Sequence, residues 1–335
     1  MTKTRPWRQI AIPAQRTRRI VCTPRRPRRA AVTAMGAVGC GVLTAFLITL
    51  TARVPAVAQQ ERITVQDILS GAPIPADQRI AYGDHPLQFG DLRIPEGEGP
   101  WPFAILIHGG CWQDIATLRY FDRVAEAITD MGVVTWNIEY RPVNVEGGGW
   151  PNTFLDVAHG VDKLRDIAFE YDLGMERVIT LGHSAGGHLA LWAAGRPRIS
   201  SSSELYVDDP LPVGGVVSLA GIPELRRFRG LDPPTCGEGI VDRLMGGGPR
   251  DVPDRYLAGS PFQMLPLNVA QRHITGRDDD IVPFRQVSPY NYEAQSAGDD
   301  SEMIVIPDAG HYEVVWPGTE AWARVEEAVR SLLGL

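Results

Sequence analysis

Residues 178–190 read Val178-Ile179-Thr180-Leu181-Gly182-His183-Ser184-Ala185-Gly186-Gly187-His188-Leu189-Ala190. A short apolar strand runs straight into Gly-x-Ser-x-Gly and on into helix-forming sequence. This is the pattern of a nucleophile elbow, a turn so tight that bulk beside the serine would clash, so glycine stands on both flanks. The turn lifts the Ser184 hydroxyl to the top of the sheet, and the N-terminus of the following helix favours negative charge there. Ser184 is read as a nucleophile. His183, its neighbour in the turn, is expected to face elsewhere, and His188, on the helix, to pack.

Working outward, strands are expected at 87–94, 103–108, 133–140, 177–182, 215–219, 273–275 and 303–306. The most apolar of them (FAILI, VVTW, VVSLA, MIVI) are almost unbroken, as strands buried on both faces of a parallel sheet should be. Helices are expected at 120–131, 153–171 and 320–333. Strands alternating with helices define an α/β fold with a mostly parallel central sheet flanked by helices. Residues 222–262, rich in Pro, Gly and Arg, break the rhythm and read as a small lid-like insertion over the carboxyl ends of the strands, where such sheets carry their sites.

A second segment agrees with the elbow. Ala104-Ile105-Leu106-Ile107-His108-Gly109-Gly110-Cys111-Trp112 is a buried strand ending in His-Gly-Gly. Backbone N–H groups of Gly109, Gly110 and Cys111, with that of Ala185, can gather around a substrate oxygen as an oxyanion hole. His108 reads as a residue that holds this loop, and Trp112 as a lining residue for bound substrate or a packing residue. Further along, Gly276-Arg277-Asp278-Asp279-Asp280 closes one strand with three carboxylates, and Asp308-Ala309-Gly310-His311 follows another. Serine, then aspartate, then histidine is a hydrolase order.

With these motifs the chain resembles the α/β-hydrolase-fold serine hydrolases. It is most similar to the His-Gly-Gly branch, which holds hormone-sensitive-lipase-like carboxylesterases, feruloyl and acetyl esterase-like enzymes and kynurenine formamidases. In that family the acid sits in Gly-x-x-Asp-x-x-Val-Pro. Counting from Gly276 to Val282-Pro283, the resemblance implies Asp279 as the acid, with Asp278 and Asp280 as solvated neighbours. The late Gly-His of the family falls on His311. Cys111 replaces the third glycine of the lipase pattern, and His-Gly-Gly-x-Trp is nearer the formamidases. Tyr140-Arg141 resembles a segment that braces the oxyanion loop, and an ordinary strand end with a solvated arginine reads equally well.

The resemblance implies a catalytic triad of Ser184, Asp279 and His311 that needs no metal or organic cofactor. The expected activity is that of a carboxylesterase on small or aryl esters, with arylformamide hydrolysis as the alternative; a non-catalytic binding protein on the same fold is the competing class.

The charge is uneven. Residues 1–58 hold 11 of the 33 Lys and Arg and none of the 40 Asp and Glu, so the rest of the chain carries −18. That body is a poor partner for nucleic acid, which needs clustered cations. Arginine-rich residues 1–29, an uncharged run at 30–51 and Ala56-Val57-Ala58 make a signal peptide, with cleavage expected after Ala58 and a single domain over 59–335. Periplasmic or secreted location is expected; retention of 30–51 as a membrane anchor is the alternative. Cleavage leaves Cys111 and Cys236, which can pair in an oxidising compartment. The reading preferred here is a free Cys111 filling a small apolar space.

Overall fold

Eight strands form one sheet in the order β1-β2-β4-β3-β5-β6-β7-β8. They are β1 (Gln78–Ala81), β2 (Phe89–Arg93), β3 (Phe103–Ile107), β4 (Val134–Ile138), β5 (Val178–His183), β6 (Gly215–Leu219), β7 (Ala270–Gly276) and β8 (Ser301–Ile306). β1 and β2 pair antiparallel with their neighbours and the rest are parallel. The structure, a computed structural model, describes residues 62–335 except Glu176 and Asp232, so the signal, cleavage and anchor readings lie outside the described residues. No helix among the described residues is long and apolar enough to cross a membrane.

The helices are α1 (Val65–Leu69), α2 (Asp122–Thr129), α3 (Asn152–Asp162), α4 (Leu164–Glu170), α5 (Ala185–Gly195), α6 (Leu225–Phe228), α7 (Ile240–Met245), α8 (Pro253–Gly259), α9 (Phe284–Ser296) and α10 (Glu320–Leu333). Strand β3 shows how they use the sheet. Phe103, Ile105 and Ile107 join a core with α3 and α5, while Ala104 and Leu106 join one with α2 and α10. Both faces are dry, which is why β3 reads as an unbroken apolar run. Each large side chain buried this way contributes roughly 1.5–3 kcal/mol. Every residue of α5 is buried, so the helix that starts at the elbow has no polar face.

The single helix expected over 153–171 is divided at Lys163, and α10 has the expected bounds, opened by Thr319 accepting from Trp322 N and closed by Gly334 in the left-handed region. The insertion is less lid than expected. Its helices α7 and α8 place Ile240, Val241, Leu244, Met245 and Tyr256 fully inside the core.

Candidate active site

The sharp turn after β5 is present. Ser184 has φ 55° and ψ −119°, its N–H donates to the Leu219 carbonyl at 2.8 Å, and α5 begins at the next residue. The flanking glycines are sterically required. A Cβ on Gly182 would lie 2.1 Å from the Gly186 carbonyl oxygen, and one on Gly186 would lie 2.0 Å from that of Ile107. The strand before the elbow, the helix after it and β3 beneath are packed backbone to backbone, and the strain at Ser184 is held by that packing.

Asp279 lies three residues beyond β7 and His311 five beyond β8, so both arrive at the carboxyl edge of the sheet beside Ser184. Asp279 Oδ2 is 2.7 Å from His311 Nδ1, and Oδ1 accepts from the N–H groups of Ile281 at 2.9 Å and Val282 at 2.8 Å. A carboxylate can only accept, so His311 carries its proton on Nδ1 and keeps Nε2 free. Both side chains are buried. Ser184 and His311 line the same cavity, with no hydrogen bond between them. Asp280 is exposed, whereas Asp278 is not merely solvated: it forms an ion pair with Arg62.

His183, expected to face elsewhere, lines the same cavity as Ser184 beside His311, and it has a supporting role that sequence reading missed. Its Nδ1 accepts from the Tyr120 hydroxyl at 2.8 Å and its Nε2 donates to the His311 carbonyl at 2.9 Å. Burial, reinforced by His311, holds its pKa well below the ordinary histidine value, consistent with this neutral form. His188 packs. Its Nε2 donates to the Gly259 carbonyl at 2.7 Å, its Nδ1 accepts from Trp112 at 3.2 Å, and burial lowers its pKa to about 4.

The loop after β3 turns through three left-handed residues, Gly110, Cys111 and Trp112, with φ of 108°, 54° and 55°. His108 holds it as expected. Nε2 donates to Glu139 Oε1 at 2.8 Å and Nδ1 lies 2.8 Å from the Gly109 carbonyl. Glu139 also accepts from the N–H groups of Tyr140 and Leu118. Burial raises its pKa, but His108 and these N–H groups lower it by more. Tyr140 stacks on His108 at 4.5 Å and donates to its carbonyl at 3.0 Å, so the bracing role of Tyr140 is borne out. Arg141 is not solvated but grips buried Asp156 with two bonds of 2.6 and 2.7 Å. Among the described residues, no group accepts from the N–H of Gly110, Cys111 or Ala185, and Gly110 and Cys111 line the cavity with Ser184.

Two expectations are corrected. Trp112 does not line the site. It is fully buried, donates to His188 and meets Phe228 edge-on, because the left-handed backbone at Cys111 and Trp112 turns it beneath the loop. Cys111 is not free. It is bonded to Cys236, with Cα atoms 5.4 Å apart, because the insertion folds back over the oxyanion loop and brings together residues 125 apart in sequence.

The cavity over Ser184 measures about 130 Å³. Gly110, Cys111, Ser184, His183 and His311 form its polar side; Val65, Leu69, Ile115, Ala116, Ile281 and Tyr312 make much of the rest apolar, and the insertion contributes Thr235. The contribution of α1 was not anticipated; Val65, Ile68 and Leu69 are the apolar residues that mark it in the sequence. Among the described residues, no three His, Cys, Asp or Glu side chains are placed to hold a metal ion.

Sheet order and elbow together define an α/β-hydrolase fold. The family model BD-FAE matches residues 91–291, more than half of the chain, and the protein belongs to that family. It is 26% identical to esterase LipC of Mycobacterium tuberculosis (strain ATCC 25618 / H37Rv) over 250 residues, covering 70% of this chain but 59% of LipC. A truncated carbohydrate esterase from gut microbiota superposes with a TM-score of 0.66 at 20% identity, covering 78% of this chain and 99% of its own. The propionate-bound esterase Est2 of Thermogutta terrifontis gives 0.63 at 18% identity, covering 78% and 94%.

Proposed function

We propose that this protein is a serine carboxylesterase acting on small esters through an acyl-Ser184 intermediate. The observation that carries the reading is the 2.7 Å pairing of His311 with Asp279 in the cavity where the strained elbow displays Ser184. The esterase names of LipC and Est2 support it.

In this reaction His311 Nε2 takes the hydroxyl proton as Ser184 Oγ bonds to the ester carbonyl carbon. Asp279, bonded to Nδ1, fixes the tautomer and stabilises the imidazolium. The carbonyl oxygen becomes an anion facing the N–H groups of Gly110, Cys111 and Ala185. Collapse breaks the bond to the leaving alcohol, which receives the proton from His311. Water then attacks the acyl group, again giving its proton to His311, and Ser184 is regenerated.

Export fits the same picture, because a buried disulfide beside the site persists in an oxidising compartment. Labelling by a fluorophosphonate, lost in Ser184→Ala, tests the nucleophile; failure to label would favour a binding protein on this fold. A panel of p-nitrophenyl esters, acetylated and feruloylated sugars and N-formylkynurenine tests the substrate class. Turnover of the formamide alone would replace the ester reading. N-terminal sequencing of the exported protein should begin near Gln59.

A further inference from the structure

The first described segment, residues 62–69, reaches across to the site from outside the sheet. Arg62 forms an ion pair with Asp278, the residue before Asp279, and donates to the Asp308 carbonyl at 2.7 Å, three residues before His311. Ile63 N–H donates at 3.1 Å to Glu313, whose other oxygen accepts from Gly310, directly before His311. The segment is thus fastened to both loops that carry the triad partners. Thr64 and Asp67 then cap each other's backbone and start α1.

Helix α1 has five residues and uses them unevenly. Ile68 is buried against the core, whereas Val65 and Leu69 are 36% and 40% exposed. Spaced four apart, they share one side of the helix, and both line the cavity over Ser184. Ile115, 47% exposed, is on the same wall. A short capped helix that leaves two aliphatic side chains half in water gains little from folding alone. Facing a serine nucleophile, those side chains meet the ester that acylates it.

We infer that residues 62–69 form the acyl-side wall of the site, with Val65 and Leu69 limiting the length of an apolar acyl chain and Arg62 holding the wall in place. The inference rests on the esterase reading and names its substrate class: esters with short, unbranched, uncharged acyl groups. The cavity over Ser184, about 130 Å³, has this aliphatic wall along one side. Because Arg62 binds next to Asp279, the wall that selects the acyl group is built onto the loop that orients the base.

The test compares kcat/KM for p-nitrophenyl acetate, butyrate and octanoate in the wild type, Leu69→Ala and Leu69→Trp. The wild type should prefer acetate or butyrate. Leu69→Ala should raise the octanoate-to-acetate ratio by about tenfold or more, the scale on which a hydrophobic pocket senses added methylenes. Leu69→Trp should lower the butyrate-to-acetate ratio by a similar factor. Leu69 is largely exposed, so both variants should fold, and Val65→Ala repeats the first substitution independently. Active enzymes whose ratios all stay within about twofold of wild type would overturn the wall and leave the esterase reading intact. A wild type that neither hydrolyses the series nor takes a fluorophosphonate would overturn both.

Discussion

The floor and the walls of this site are built by different means. The floor consists of Ser184, Asp279, His311 and the loop after β3, set on the ends of strands buried on both faces. Its bonds are short, buried and mutually dependent, as in His311–Asp279 or the Tyr140–His108–Glu139 cluster. The walls come from outside the sheet: the segment before β1, held by half-exposed ion pairs and the packing of Ile68, and the part of the insertion around Cys236, tied to the loop after β3 by a disulfide. Chemistry that must be placed to a fraction of an ångström is mounted on the core. Surfaces that decide what fits are fastened with bonds that can be exchanged without disturbing it.

The contrast predicts a descending series of effects. Asp279→Asn should cost about 10³–10⁴-fold in kcat with little change in folding, because the amide favours the wrong imidazole tautomer. The same substitution at Asp280 should cost little. A comparable loss at Asp280, read in steady-state rates, would place the floor on the wrong carboxylate.

Second in size is a pH effect on the floor. His188 has a pKa of about 4 in the folded state, below its unfolded value of about 6.5. As pH falls, the unfolded chain binds the proton first. Stability from this group is complete above pH 6.5 and is lost between about 6.5 and 4, to the extent of about 3 kcal/mol. Urea unfolding between pH 7.5 and 4.5 should show this, and His188→Asn should flatten the slope whatever it does to stability at pH 7.5. An unchanged slope would show that His188 does not stay neutral inside.

The third effect concerns the insertion. Reducing the Cys111–Cys236 bond, or replacing both cysteines with serine, should lower stability by about 2–4 kcal/mol, since the bond closes a long loop. The readouts are the unfolding midpoint and, because Cys111 lies in the oxyanion loop, kcat. Loss of stability with kcat unchanged would show that the floor keeps this loop in place without its tie.

Smallest is the other fastening. Arg62→Ala should weaken acyl discrimination by a fewfold, and 1 M salt should partly reproduce this in the wild type, because exposed ion pairs contribute about 0–1 kcal/mol and are screened. Salt that leaves discrimination untouched would mean that the segment is held by packing of Ile68 instead.

The same division marks what could be read from the chain. Strands β3 to β6 were legible because burial on both faces writes unbroken apolar runs, and the elbow because only glycine fits beside Gly186. The family resemblance implied Asp279, through the motif that Gly276 and Val282-Pro283 match, and Asp279 is the carboxylate that the structure sets against His311. The walls left weaker traces. Strand β1 lies at the sheet edge with mostly exposed residues, and α9, polar on much of its surface and carrying Pro289, does not show the period of a helix. Helices α6 to α8 are too short to declare one. The Cys111–Cys236 bond depends on a distance across 125 residues, and the burial of Trp112 on a left-handed backbone, so neither is a local property of sequence.

Sheet order also sets a timetable. Ser184 sits near the middle of the chain, but His311 follows the last strand, which adds at the far edge beyond β7. A chain emerging from its N-terminus would complete the elbow, and even add Asp279, while still lacking the base. Until residues 301–311 dock as β8 and the loop after it, the serine has no group to take its proton, so an unfinished molecule carries an inert hydroxyl. On the proposed mechanism, Ser184 gains its base only when that loop is in place.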